Sequence, residues 1–314
     1  MKKLSKTFST IIIVLVILGL TLPVLSIFAQ ENLQAPLREV SNKVEELIEL
    51  KDDNTLSDQE KEEKEIQVRK EALEKIIDLS LIETKNLANK INALELSSED
   101  QIAIKVKLIS ILDANESYSK ELKTKTEKED ISLEEIKNLA QEYKDWRDEN
   151  YNKYVKKITV FILTFQEKQV LKTADIRLEK IMSDLKKLED LKVLKKEDTL
   201  KFITDSTKNL ANAQVLNKNA ESLIIEIIKK DLLETATTSP ETLSASTTPE
   251  IASISLMAAP APSQEQEIAT TTAKIITEEE NAQSLIEQSL QEIKNAYTNF
   301  ISISTKVNQR LKLR

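Results

Sequence analysis

The sequence predicts an all-α protein, an elongated antiparallel helical bundle or coiled coil with long helices, and three observations predict it. Gly19 is the only glycine in 314 residues, and the prolines are Pro23, Pro36, Pro240, Pro249, Pro260 and Pro262, so no breaker interrupts the chain from Leu37 to Ser239. Strand turns draw heavily on both residues, and a stretch that lacks them is left with helix. The second observation is a set of capping boxes, Ser57 with Glu60, Ser98 with Gln101 and Ser132 with Glu135, each a hydroxyl answered three residues on by a carboxylate or amide. The third is a heptad seam, Leu171, Ala174, Leu178, Ile181, Leu185 and Leu188, in alternating steps of three and four.

Taken in order, the chain opens with Lys2, Lys3 and Lys6, an apolar run from Ile11 to Leu20, Pro23 and the small residue Ala29. That order of charge, hydrophobe and small residue predicts an export signal over residues 1–29. Ile27 stands where a smaller residue is usual before cleavage, and the apolar stretch to Phe28 nearly reaches bilayer-spanning length. Both a cleaved signal and a retained anchor at residues 11–29 stay open, and the destination is extracellular, periplasmic or the cell surface. The charged end "NQRLKLR" offers no second anchor.

Helices are predicted at approximately 37–51, 58–95, 99–128, 133–193, 197–234 and 265–312, with a break near "RDENYN" where Asn150 and Asn152 disfavour helix. Residues 30–234 read as one helical bundle domain. Residues 235–263, rich in Thr, Ser, Ala and Pro, read as a linker. Residues 264–314 read as a long C-terminal helix that packs on the bundle or on a partner. Its seam runs through Ile268, Ile275, Ala282, Ile286, Ile293, Ala296, Phe300, Ile303 and Val307, interrupted by Thr272, Glu279 and Ser289.

The hexapeptide "TKNLAN" occurs at residues 84–89 and 207–212, and "KNLA" again at 137–140. It holds no nucleophile with a base and no ligand cluster. The pattern predicts a recurring packing solution, with Leu87 or Leu210 in the seam, the alanine beside it permitting close approach, and Lys and Asn on the flanks.

Composition excludes much chemistry. The chain has no histidine and no cysteine, which removes imidazole zinc sites, Ser-His-Asp and Cys-His catalysis, thiol redox and disulfides. Beyond Gly19 there is no glycine for a phosphate-cradling loop. No enzyme activity, cofactor, metal or catalytic residue is predicted, although carboxylate-only lytic chemistry stays open. The 45 Lys and Arg include the three signal lysines, so residues 30–314 carry 42 basic against 53 acidic groups, a formal charge of −11. Nucleic-acid binding is not expected of such a chain. The terminal Lys306, Arg310, Lys312 and Arg314 read as charges complementing a helix C-terminus.

Two short matches carry less weight. "DDNTLSDQEKEE" at residues 52–63 superficially resembles a calcium loop, but Leu56 takes a ligand place and Ser57 replaces the glycine, so a helix-connecting turn is expected. "DANES" at residues 113–117 has the form of a bacterial glycosylation acceptor at Asn115.

The feature that points to function is aromatic. Six of the ten aromatics beyond residue 29, Tyr143, Trp146, Tyr151, Tyr154, Phe161 and Phe165, fall within 23 residues, and the run from Ile158 to Phe165 is apolar on nearly every face. A helix apolar all round must be covered all round. These six residues are therefore a bundle centre, a candidate interaction surface for a protein partner or a second copy, or a groove for a small ligand or wall polymer.

The segments "VKKITVFILTFQEKQVLKTADIRLEKIMSDLKKLE" and "IKNAYTNFISISTKV" resemble uncharacterised exported helical proteins of small-genome candidate-phylum bacteria. The resemblance implies an exported helical protein and brings no activity with it. The function expected is an exported, non-enzymatic helical scaffold or protein-interaction module of the cell envelope, acting through amphipathic helix faces. A membrane-tethered coiled-coil regulator, with membrane contact only through an uncleaved N-terminal segment, is the alternative beside the ligand binder.

Overall fold

The computed structural model describes residues 31–52, 55–237 and 264–312, and all of their regular structure is helical. The expected signal and nearly all of the expected linker lie outside the described residues. The helices are α1 (Glu31–Asp52), α2 (Asp58–Asn92), α3 (Glu99–Thr126), α4 (Leu133–Arg147), a π-helical turn (Asp148–Asn152), α5 (Lys153–Asp190), a 3-10 turn (Lys196–Asp198), α6 (Leu200–Thr237) and α7 (Gln264–Lys312). The chain divides into two units, Met1–Ile162 and Leu163–Arg314. The division falls inside the region read as one domain from sequence, and the last helix belongs with the residues from Leu163 onward.

Helix starts follow the capping boxes. Ser57, Ser98 and Ser132 each accept from the amide three residues on, and Glu60, Gln101 and Glu135 reach back to the cap amides. Each box satisfies two of the four donors that a helix N-terminus leaves bare. From Asp58 to Glu63 the calcium-like segment is helix α2, so its carboxylates climb a cylinder and do not converge around a loop.

Three details depart from the sequence reading. Helix α1 starts at Glu31 and carries Pro36 inside, six residues along and past the first turn where proline is neutral, removing one backbone hydrogen bond. Residues 148–152 do not break the helix; one π turn passes the chain from α4 to α5. After Asp190 the chain turns at Lys192, whose φ of 57° is left-handed. The Val193 amide donates to the Leu188 carbonyl at 2.9 Å and the Lys192 amide to Glu189 at 2.8 Å, a helix stop that glycine usually fills. With no glycine beyond Gly19, a lysine takes the strained position, at a cost of about 1 kcal/mol.

In the first unit α1 to α4 run alternately up and down. Lys43 with Glu71 and Lys75 with Glu39, both at 2.6 Å, align α1 against α2, and Lys123 with Asp78, also at 2.6 Å, aligns α3 against α2. Inside, Val40, Leu73, Ile76, Ile77, Leu122 and Tyr143 form one apolar cluster drawn from all four helices.

In the second unit the predicted heptad seam of α5 faces inward. Leu171, Ala174 and Leu178 meet Leu210 and Ala213 of α6 and Ile293, Ala296 and Phe300 of α7, and Leu185 meets Leu194 and Ile303 further along. Gln214 with Asp175 and Lys168 with Glu221 set α6 antiparallel to α5, and Arg310 with Asp198 at 2.8 Å ties the end of α7 to the turn before α6. Arg310 therefore has a partner as well as a dipole to complement.

Helices α6 and α7 approach along small residues at every seventh place, Ser206, Ala213 and Ala220 on one and Ala282, Ser289 and Ala296 on the other, all 0% exposed. Ser289 Oγ donates to the Ala213 carbonyl at 2.9 Å, so a side chain of α7 touches the backbone of α6. Small side chains are what permit that approach.

The repeated hexapeptide behaves as a packing imprint. Leu87 and Leu210 are buried at 3% and 2%, but Ala88 is half-buried and Ala211 exposed, so the alanine is not the close-approach residue. The threonines part company as well, Thr84 being buried and Thr207 exposed.

This packing separates two alanines two residues apart. Ala213→Leu overfills the α6–α7 seam and should lower stability by about 1 to 3 kcal/mol in urea unfolding, whereas Ala211→Leu should change it by less than about 0.5 kcal/mol. Equal effects at the two positions would show that the helices do not meet along Ala213.

Candidate functional site

The most concentrated polar chemistry lies at the π turn, inside the first unit. Helix α2 keeps a strict seam, Ile77, Ser80, Thr84, Leu87 and Ile91, in which two of five places are hydroxyl-bearing. Helix α3 does likewise with Ile104, Leu108, Leu112, Asn115, Ser119 and Leu122. The polar members of the two seams lie side by side, since Asn115 Nδ2 donates to Thr84 Oγ1 at 2.6 Å and to Ser80 Oγ at 3.2 Å.

Arg147, 3% exposed, enters this layer from the end of α4. Its Nη2 donates to Glu83 Oε2 at 3.0 Å, its Nη1 to Ser80 Oγ, and its other contacts reach Asn152 Oδ1 in the π turn. Tyr143 and Tyr151, four residues either side, place their rings against the guanidinium, with its carbon 5.9 and 4.6 Å from the ring centroids. Tyr151 donates to the same Glu83 oxygen at 3.2 Å, and Tyr143 shares a hydrogen bond with Ser119 at 3.1 Å. The π turn holds Arg147, Tyr151 and Asn152 around one point, a use of local irregularity common where a helix must aim side chains.

The electrostatics are those of a buried network whose charges are paired inside it. Burial opposes the Arg147 charge, and Glu83, Tyr143 and Tyr151 together outweigh it, so the guanidinium is held above its ordinary range. Burial and the Glu83 carboxylate push the Tyr151 phenol well up, keeping it neutral. The Glu83 carboxylate thus accepts from both the guanidinium and the phenol. Asn115, the "DANES" asparagine, is 0% exposed and bonded inside this layer, so it is not accessible for glycosylation as the fold stands.

The six aromatic residues singled out from sequence occupy different settings. Tyr143, Tyr151, Tyr154, Phe161 and Phe165 are buried at 1%, 0%, 7%, 0% and 2%. Tyr143 and Tyr151 are brought together by Arg147. Trp146 is half-buried and stacks on Tyr118 at 4.2 Å, which makes it the one of the six with a face toward solvent. Tyr154 carries the ammonium groups of Lys153 and Lys157 at 5.0 and 5.5 Å from its centroid. Phe161 belongs to the first unit and Phe165 to the second. Ile158, Val160 and Ile162 are at most 1% exposed, whereas Leu163 is half-buried.

Sequence reasoning missed Arg147, Glu83, Ser80, Thr84 and Ser119, and read Asn115 only as a glycosylation acceptor. The available signal was polar residues falling on seam positions, at steps of three and four between leucines and isoleucines.

An open cleft of about 460 Å3 between α1 and α2, lined among others by Glu46, Glu49, Leu56 and Lys64, offers mixed charges over an apolar floor. Among the described residues no group of three or more Asp or Glu is placed to hold a metal ion, and no helix is long and apolar enough to cross a membrane.

Removing one partner of the buried pair should cost far more than removing both. Glu83→Leu strands Arg147 and should lose about 3 to 5 kcal/mol in urea unfolding followed by Trp146 fluorescence. The double variant Glu83→Leu with Arg147→Met should recover most of that loss. A single variant that loses less than about 1 kcal/mol would mean that the guanidinium is hydrated and the network is not closed.

The chain matches no protein-family model, no curated protein and no solved structure.

Proposed function

We propose that the chain is an exported, non-enzymatic helical scaffold or protein-interaction module of a cell envelope, presenting amphipathic helix faces to a second copy or to a protein partner. The observation that carries this reading is the pair Ile102 and Val106 on α3, 49% and 65% exposed and one helical turn apart. Their helix already buries Ile104, Leu108 and Leu112 on its other side, so these two are surplus to the fold of the unit. Branched apolar side chains one turn apart on an outer face are what a partner helix covers.

The non-enzymatic part rests on residue types, with no histidine, no cysteine and no glycine beyond Gly19, and on the engagement of the buried polar groups with each other around Arg147. Export rests on the N-terminal sequence pattern. The coiled-coil part rests on the alternating three and four spacing of buried residues along α6 and α7. A ligand groove built from the aromatics has less support, because five of the six are buried.

The membrane-tethered version keeps the same helices and differs only in retaining residues 11–29. Mass spectrometry of the N-terminus separates the two, since a new end at Gln30 removes the tether.

Light scattering of the mature chain, together with crosslinking in cells, tests the proposal. The expected outcome is a dimer or a specific crosslinked complex that Ile102→Lys with Val106→Lys abolishes, with unfolding stability unchanged within about 0.5 kcal/mol. A monomer that crosslinks to nothing, or a complex indifferent to the double substitution, counts against this surface.

A further inference from the structure

One end of the second unit has a charge opposite to that of the rest of the chain. Residues 186–201, which close α5 and open α6, carry Lys186, Lys187, Lys192, Lys195, Lys196 and Lys201 against Glu189, Asp190, Glu197 and Asp198. Lys306 and Arg310 join them from the end of α7, where Arg310 pairs with Asp198 at 2.8 Å. Eight basic and four acidic groups give this end a formal charge of +4, so the rest of residues 30–314, at −11 in all, carries −15. Lys186, Lys196, Lys201 and Lys306 are exposed, and among the described residues none of the four is held in an ion pair.

Three leucines stand among these cations. Leu191 lies just past α5, Leu200 is first in α6 and Leu311 is next to last in α7, and they are 68%, 46% and 50% exposed. The core at this level is already filled by Leu185, Leu194 and Ile303, with Leu188, Phe202, Ile203 and Val307 packed against them, so the three exposed leucines are surplus to it. The helix stop fixes Leu191 at an apex. Its amide donates to the Lys187 carbonyl at 3.0 Å and the Val193 amide to Leu188 at 2.9 Å, and through the left-handed Lys192 the chain returns to the core at Leu194.

We propose that this end of the second unit is a docking surface for an anionic lipid membrane, its lysines meeting headgroup phosphates while Leu191, Leu200 and Leu311 enter the boundary between headgroups and acyl chains.

Both halves of the pattern bear on the choice of partner. A lysine near an anionic leaflet strengthens binding about fivefold, and its flexible stem lets the ammonium reach the phosphates while the apolar residues sink past it. Leucines carried singly on the ends of three helices suit a plane of lipid, whereas a partner helix asks for a stripe along one of them. Charge supplies the orientation, because the −15 on the rest of the chain is repelled by the surface that attracts this end. The contact is peripheral, since no described helix is long and apolar enough to cross a membrane. It is separate from a tether at residues 11–29 and from the Ile102 and Val106 face, which belongs to the first unit.

Vesicle sedimentation of the chain from Gln30, which keeps every described residue and lacks the apolar run from Ile11 to Leu20, tests the proposal with two lipids, pure phosphatidylcholine and its equal mixture with phosphatidylglycerol. The chain should pellet with the mixed vesicles at low salt, stay in solution with the neutral ones, and detach as salt rises. Lys196→Gln with Lys201→Gln should weaken binding about 25-fold and Leu191→Ser about tenfold, with urea unfolding unchanged, since all three side chains are exposed. Binding to neither vesicle, or to both equally, overturns the proposal. A loss through the lysines with none through Leu191 also overturns it, because the partner is then an anion without an apolar phase. Should a variant unfold, hydrogen exchange of the unaltered chain decides. The amides of residues 191–200 should gain protection when mixed vesicles are added, and no gain there refutes the docking.

Discussion

Everything in this structure depends on one restriction, that the chain has helices and almost nothing else with which to hide apolar surface. With no glycine beyond Gly19 and no proline from Leu37 to Ser239, tight turns are scarce, and the connections described are short helix stops such as the one at Lys192. Apolar stripes must then be covered by other stripes, and the geometry of helix on helix fixes which residues meet. The small residues of α6 and α7 show how far this goes. Ser206, Ala213, Ala220, Ala282, Ser289 and Ala296 let two helices approach until a serine hydroxyl reaches a backbone carbonyl.

The same restriction explains where the polar chemistry is. A seam that runs for dozens of residues offers many apolar matches of nearly equal quality, and both units interrupt theirs with residues that accept only one match. In the first unit Arg147 meets Glu83, Ser80 and two tyrosine rings, while in the second Asn217 meets Glu167 and the Thr164 carbonyl. The layers differ in kind. The first is an ion pair set among hydroxyls and aromatics, whereas the second holds a single buried carboxyl bonded to an amide.

Much of the fold was legible because its determinants are local. Ser57, Ser98 and Ser132 announce their helices within four residues, and the seam from Leu171 to Leu188 declares its inward face by spacing alone. The rest was not legible for reasons that are equally physical. A π turn at 148–152 and a single helix crossing the boundary at Ile162 depend on what lies alongside, and Asn150 and Asn152 report only intrinsic preference. Pro36 reads as a helix boundary and is found inside α1, because tertiary packing overrides the loss of one hydrogen bond. For the polar layer at Arg147, sequence supplied the aromatics but not their roles. The cluster from Tyr143 to Phe165 reads as one feature, yet Tyr143 and Tyr151 flank a cation, Trp146 stacks on Tyr118, and Phe161 and Phe165 belong to different units.

A magnitude decides what the Arg147 layer is for. Sliding α4 against α2 by one heptad would cost about 1.5 kcal/mol or less at each place where leucine and isoleucine merely exchange. The same slide would carry the guanidinium away from Glu83, and a buried charge without its partner costs about 3 to 5 kcal/mol. Against a total stability of about 5 to 15 kcal/mol for a domain, that single mismatch is enough to reject the alternative register. Charged and polar residues that contribute little net stability in place therefore select the packing, and they do so through the arrangements they forbid. In a chain whose apolar pattern repeats every seven residues, that exclusion supplies information the hydrophobic seam by itself does not contain.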